Sequence, residues 1–112
     1  MTIFEKIAAR EIPARIVHET ETWLAFHDAH PQAPVHVLLI PKRLIARLAA
    51  TKSEDAALLG EMLQAIPELA RQLGVAESGY RVVINNGRDA GESVPHLHIH
   101  LLGGRSLQWP PG

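Results

Sequence analysis

From position 96 the chain reads His96-Leu97-His98-Ile99-His100-Leu101-Leu102, a strict alternation of imidazole and apolar side chains. Only an extended strand turns a period of two into two distinct faces, so this segment demands a sheet with one apolar face and one face carrying three histidines. A chain of 112 residues is sized for one domain, residues 1–112. A core of that size leaves a dimer interface as a further source of burial. With 46% hydrophobic and 21% charged residues it should fold by burial rather than stay disordered. It has no cysteine, which removes disulfides, thiolate zinc sites and sulfur nucleophiles together. No apolar run approaches the roughly 18 residues of a membrane span. Glu5, Lys6 and Arg10 interrupt any signal-like core at the start, so the expected address is cytoplasmic, away from membranes. Eleven basic residues against twelve acidic ones, scattered along the chain, give no footprint for DNA.

Thr2 and Glu5 form a capping-box pattern, and Ile3, Phe4, Ile7 and Ala8 follow at helical spacing toward a stop near Pro13. Residues 15–19 and 22–27 read as a hairpin of two strands, and His36 to Ile40 as a third strand buried on both faces. Thr51 with Glu54 suggests a second capping box, opening a long helix through Leu58, Leu59, Met62, Ile66, Leu69, Ala70 and Leu73, with a kink or break at Pro67. Tyr80 to Asn85 gives a fourth strand, residues 86–93 a polar glycine-containing loop, and His96 to Leu102 the fifth strand. Strands and helices do not alternate regularly. The expected class is therefore α+β, a five-stranded, mainly antiparallel sheet with two helices.

Three readings compete for the histidine face. It could be a solvated polar surface, although Thr, Lys and Glu serve that purpose more commonly. It could hold a metal through a His-x-His pair with His36 or Asp28, but His96 and His100 lie roughly 13 Å apart along a strand, too far to share one ion. It could act on phosphorus, since a neutral imidazole is a nucleophile at pH 7 and its neighbours can donate to charged oxygens. The loop before it suits a phosphate, with Gly87 and Gly91 freeing backbone N–H groups and Ser93 adding a hydroxyl.

The triplet resembles the signature of the histidine triad family. The resemblance extends to Phe26-His27-Asp28, Pro31-Gln32-Ala33-Pro34-Val35-His36, Ile40-Pro41-Lys42, Tyr80-Arg81-Val82-Val83, Gly103-Gly104-Arg105 and Trp109-Pro110-Pro111-Gly112, which are similar to the nucleotide-binding branch. That resemblance implies a homodimer that hydrolyses purine nucleoside phosphoramidates, typically adenosine monophosphate (AMP) joined to an amine, with no cofactor and no metal. It implies His98 as nucleophile, His100 on the α-phosphate oxygens, and His96 and His36 orienting the central ring. Asp28 would accept from the ribose hydroxyls, with Ala29 beside it, while Ile3, Phe4, Ile7, Phe26 and His27 line the base pocket. Asn85, Gly91, Glu92 and Ser93 match the phosphate-side loop, Ser93 helping to protonate the leaving amine. Other branches run dinucleoside polyphosphate hydrolysis or nucleotidyl transfer on the same triad, and a weakly catalytic nucleotide-binding module is a third alternative.

Each assignment has a plainer counterpart. Asp28 and Asn85 could be turn residues, the apolar pocket plain core, and Trp109 a packing aromatic. Two departures stand out. The family loop commonly carries Gly-Gly-Gln followed by Ser or Thr, whereas Ala90-Gly91-Glu92-Ser93 stands here. A carboxylate at Glu92 would repel a phosphate unless it points away or is protonated, and Ala90 narrows the loop's backbone freedom. Pro95, lacking an N–H, should leave the first rung of the fifth strand unpaired.

Overall fold

The computed structural model describes residues 1–112. Helix α1 (Ile3–Ala8) starts where the sequence predicts: the Thr2 hydroxyl accepts from Glu5 N at 3.0 Å and Glu5 Oε1 accepts from Thr2 N at 2.8 Å. It stops well before Pro13, because Arg10 takes a left-handed φ of 63°. Arg10 N then donates to Ile7 O and Glu11 N to Lys6 O, the hydrogen bonds of a Schellman stop usually left to glycine.

Five strands follow: β1 (Ile16–Glu19), β2 (Trp23–His27), β3 (Val35–Pro41), β4 (Tyr80–Val83) and β5 (Ile99–Gly103). They form one sheet in the order β1-β2-β3-β5-β4, and every pair is antiparallel. Thr20 shapes the β1–β2 turn, its hydroxyl accepting from the N–H groups of Thr22 and Trp23. β3 lies at the centre, and from His36 onward every residue is buried, as its unbroken apolar run requires.

Helix α2 (Ala56–Gln72) covers one face of the sheet. Its Met62, Ile66 and Leu69 pack on Trp23, Ala25, Val37, Leu39, Ile99 and Leu101, which are at most 3% exposed. The other face buries Phe4 and Ile7 of α1 against Leu24, Phe26, Leu38 and Ile40. β2 and β3 divide their alternate residues between the two clusters, and with Val37, Ile99 and Leu101 on the α2 face this alternation places His36 and His100 on the α1 face. Gly103 sits where a Cβ would come within 2.9 Å of the Val75 side chain, so close packing below β5 requires glycine.

The structure corrects several expectations. Thr51 does not cap α2: its hydroxyl donates to Leu48 O at 2.7 Å, closing a short 3-10 turn. Asp55 stands at the N-cap position, but its buried carboxylate turns back to accept from Lys52 N at 2.8 Å and to pair with Arg43, closing the 3-10 turn before the helix and leaving the first turn of α2 without a side-chain cap. Helix α2 runs unbroken through Pro67, since Pro67 and Leu63, whose carbonyl the missing N–H would have met, both lie on the wet side. The fifth strand starts at Ile99, not His96. Around the start of the triplet, His96 N is turned back to Val94 O and Leu97 N reaches across to Ile45 O at 2.7 Å. Pro95 therefore precedes a bend, and no rung of the ladder is lost to it. The fourth strand ends at Val83, two residues before Asn85.

Candidate active site

The histidine face is not a wet surface. His96 is fully buried, His36 and His98 are 5% exposed, and His100 is half-buried. Four imidazoles inside a small core must each find partners, and those partners determine where each proton sits.

The Pro41 carbonyl can only accept, so His96 Nε2 donates to it at 2.8 Å. The neutral ring then offers Nδ1 as an acceptor, with the Thr2 hydroxyl 3.3 Å away. His98 Nδ1 donates to the carbonyl of His96 at 2.7 Å, so its Nε2 carries a bare lone pair in the neutral ring. Gln32 N donates to His36 Nδ1 at 3.0 Å, so His36 holds its proton on Nε2 and donates to His100 Nδ1 at 2.9 Å. His100 must then be protonated on Nε2. That N–H is buried and has no partner. The rings of His98 and His100 lie 4.9 Å apart, with the Phe4 ring edge-on to His98 at 5.0 Å. A lone pair and an unsatisfied donor thus sit side by side. This is the arrangement an electrophilic centre bearing an oxyanion would complete.

Burial lowers the pKa of His96 and His36, opposed by the Pro41 hydrogen bond in the first case and the Asp28 charge in the second. His100 is pushed down to about 4, first by burial and then by His98 and His36. All three are neutral at pH 7, which keeps the proton assignments intact.

Asp28, His36 and His100 bring ligand atoms within 4.8 Å of one another, a spacing a metal ion could use. The hydrogen bonding opposes it. To ligate through Nε2, His36 would have to move its proton to Nδ1, which already faces the Gln32 N–H.

Asp28 does serve as a turn residue, its Oδ1 accepting from His30 N at 2.8 Å, while Oδ2 lies 3.4 Å from His36 Nε2. Ala29 beside it is exposed. Phe4, Ile7 and Phe26 cluster next to the triad, with the rings of Phe4 and Phe26 5.7 Å apart. Ile3 instead points outward at 52% exposure, and His27 is half-buried at the end of β2. On the loop, Gly87 and Gly91 both have positive φ, which explains why glycines stand there. Ser93 is exposed and Asn85 half-buried.

Glu92 resolves the apparent conflict with a phosphate. Its two oxygens accept from Arg47 Nε at 2.9 Å and Nη2 at 3.0 Å, and Oε1 also accepts from Gly87 N. Arg47, with help from the Gly87 N–H, holds its pKa at about 2, so the carboxylate is ionised but its charge is matched by Arg47. Arg47 and Thr2 were not legible as site residues. The first had no visible partner in the sequence, and the second read only as a helix cap.

Residues 9–107 match the model of the HIT domain family, and the chain belongs to that family. An uncharacterized HIT-like protein of Synechocystis is 56% identical over 99% of this chain and 96% of its own length. Among solved structures, a HIT family hydrolase from Legionella pneumophila superposes with a TM-score of 0.97 at 46% identity, covering all of both chains. A histidine triad nucleotide-binding protein from Candida albicans gives 0.83 at 34% identity, over 98% of this chain and 83% of that one.

Proposed function

We propose that the chain hydrolyses the P–N bond of purine nucleoside 5′-phosphoramidates through a nucleotidyl intermediate on His98. The observation that carries this reading is the lone pair on His98 Nε2 beside the unpartnered N–H of His100. The related hydrolase from Legionella and the nucleotide-binding protein from Candida support the class.

In the first step His98 Nε2 attacks phosphorus and the P–N bond breaks. The departing amine takes a proton relayed from solvent by Ser93, whose exposure suits that role. The ring becomes a cation, stabilised because its Nδ1–H already donates to the His96 carbonyl. His100 Nε2–H binds a non-bridging oxygen and is satisfied for the first time. Water then attacks phosphorus, the P–Nε2 bond breaks, nucleoside monophosphate departs, and the proton lost by water returns to solvent.

Phe4, Ile7 and Phe26, with Ile3 and His27 at the margin, form the base pocket. Asp28 uses its remaining lone pairs for the ribose hydroxyls beside Ala29. Asn85, Gly91, Glu92 and Ser93 flank the phosphate. In this reading residues 1–112 act as one domain that works as a homodimer in the cytoplasm.

Steady-state hydrolysis of an AMP–amine phosphoramidate in excess chelator, by the native protein and His98→Ala, tests the proposal. Turnover that survives chelation and disappears in the variant is expected. Undiminished turnover in His98→Ala would overturn covalent catalysis, and loss of native activity on chelation would bring back a metal.

A further inference from the structure

We propose that Thr2 is a positioning residue for the triad, with its hydroxyl proton fixing His96 and, through His96, aiming His98. A hydroxyl has one proton and two lone pairs. One lone pair of Thr2 Oγ1 is taken by Glu5 N at 3.0 Å, the cap of α1. Its proton is then free for His96 Nδ1, 3.3 Å away and 94 residues distant in sequence. His96 Nε2–H is committed to the Pro41 carbonyl, so Nδ1 is an acceptor and the two groups are complementary. The carbonyl of the same residue receives His98 Nδ1–H at 2.7 Å.

Two hydrogen bonds joined by the covalent frame of His96, one on its ring and one on its carbonyl, therefore connect the first turn of α1 to the nucleophile. Phe4, two residues beyond Thr2, reinforces the connection by packing edge-on against His96 and His98, with ring centroids 6.1 and 5.0 Å away. The N-terminal turn thus ties the formation of α1 to the orientation of the triad. Helix capping alone would require only the lone pair; the direction of the proton is what gives Thr2 its second task.

Three variants of the full chain separate the two tasks. Thr2→Ser keeps both the cap and the O–H. Thr2→Asp keeps a capping oxygen but has no proton to give, so it demands one on His96 Nδ1. Thr2→Val loses both. The primary readout is the ¹⁵N shifts of the His96 ring followed with pH, with Glu5 and His98 as the other titratable groups facing that ring. In Thr2→Asp the His96 titration should move to higher pH while α1 stays formed. In Thr2→Ser the native shifts should be retained.

The kinetic readout rests on the phosphoramidase reading: Thr2→Asp and Thr2→Val should lower kcat on the order of 10-fold with little change in KM. Unchanged His96 shifts and titration in both Thr2→Asp and Thr2→Val, with only thermal stability altered, would overturn the proposal and leave Thr2 a cap. Failure of the phosphoramidase reading would appear differently, as no turnover by the native protein, and the ¹⁵N shifts would still decide the role of Thr2.

Discussion

The two halves of the site are built in opposite ways. The four histidines are mostly buried, and three of them are anchored to backbone groups: the Pro41 and His96 carbonyls and the Gln32 N–H. The loop from Asn85 to Ser93 is mostly open to solvent, shaped by two positive-φ glycines and tied to the segment before α2 by the Arg47–Glu92 ion pair and by Asn86 Oδ1, which accepts from Ala49 N at 2.8 Å. Backbone anchors in a core cannot drift, so the His98 ring, the nucleophile in the proposed reading, is aimed before any ligand arrives. The Arg47–Glu92 pair is itself partly buried, but Arg88 to Gly91 between the anchors are exposed, so that stretch of the loop can adjust to what it receives. The histidines are held by the core and accommodation is left to the loop.

The contrast is broken most severely at His98. His98→Ala should reduce turnover by about 10⁴-fold or more while nucleotide binding persists, because the apolar cluster of Phe4 and Phe26, the proposed base pocket, is left standing. Kinetics together with calorimetric titration of AMP check both halves of that statement. A smaller loss is expected one link back. His36→Ala removes the donor that keeps the His100 proton on Nε2, and should lower kcat by roughly 100-fold with KM less affected, as loss of an oriented oxyanion donor does.

Acid should separate the two regions without mutation. His36, His96 and His100 are held neutral in the fold at pH values where the unfolded rings are protonated. Each pKa is lowered, so the unfolded state binds more protons and stability must fall as pH drops below about 6.5. For His100 the decline continues to about 4, worth up to about 3 kcal/mol. Denaturant unfolding across that range reads the slope. Glu92, ionised down to about pH 2, should hold its pair with Arg47 throughout.

The smallest effect is expected in the loop. Arg47→Ala frees Glu92 to face the phosphate, so KM should rise several-fold with kcat nearly constant. Glu92→Gln combined with Arg47→Ala should restore it, which would show that the charge and not the arginine side chain is at fault.

The sequence made the two-faced strand legible because histidine and apolar residues alternate without exception from His96 to Leu101, and α1 because its cap lies within three residues. Sites assembled across long separations were hidden. The pair Arg47 and Glu92 spans 45 residues, so Glu92 looked like an unmatched charge. His96 looked like the first strand residue, but the reach of Leu97 N to Ile45 holds that part of the triplet outside the ladder. Local patterns also misled. Thr51 with Glu54 matches a capping box, but the Thr51 hydroxyl is spent on Leu48 O and the helix begins only at Ala56, after a 3-10 turn tied by Asp55 to Lys52 N and Arg43. Pro67 reads as a breaker until its missing bond is seen to lie on the solvent side.

The central claim is that His98 Nε2 becomes bonded to phosphorus. Native protein mixed with an equal amount of AMP–amine phosphoramidate and quenched in alkali within milliseconds should carry a nucleotidyl group, found by mass spectrometry of the fragments on His98 and formed as fast as amine is released. Amine release with no protein-bound nucleotide at any time, or a nucleotide carried on His96 or His100 instead, would contradict the account.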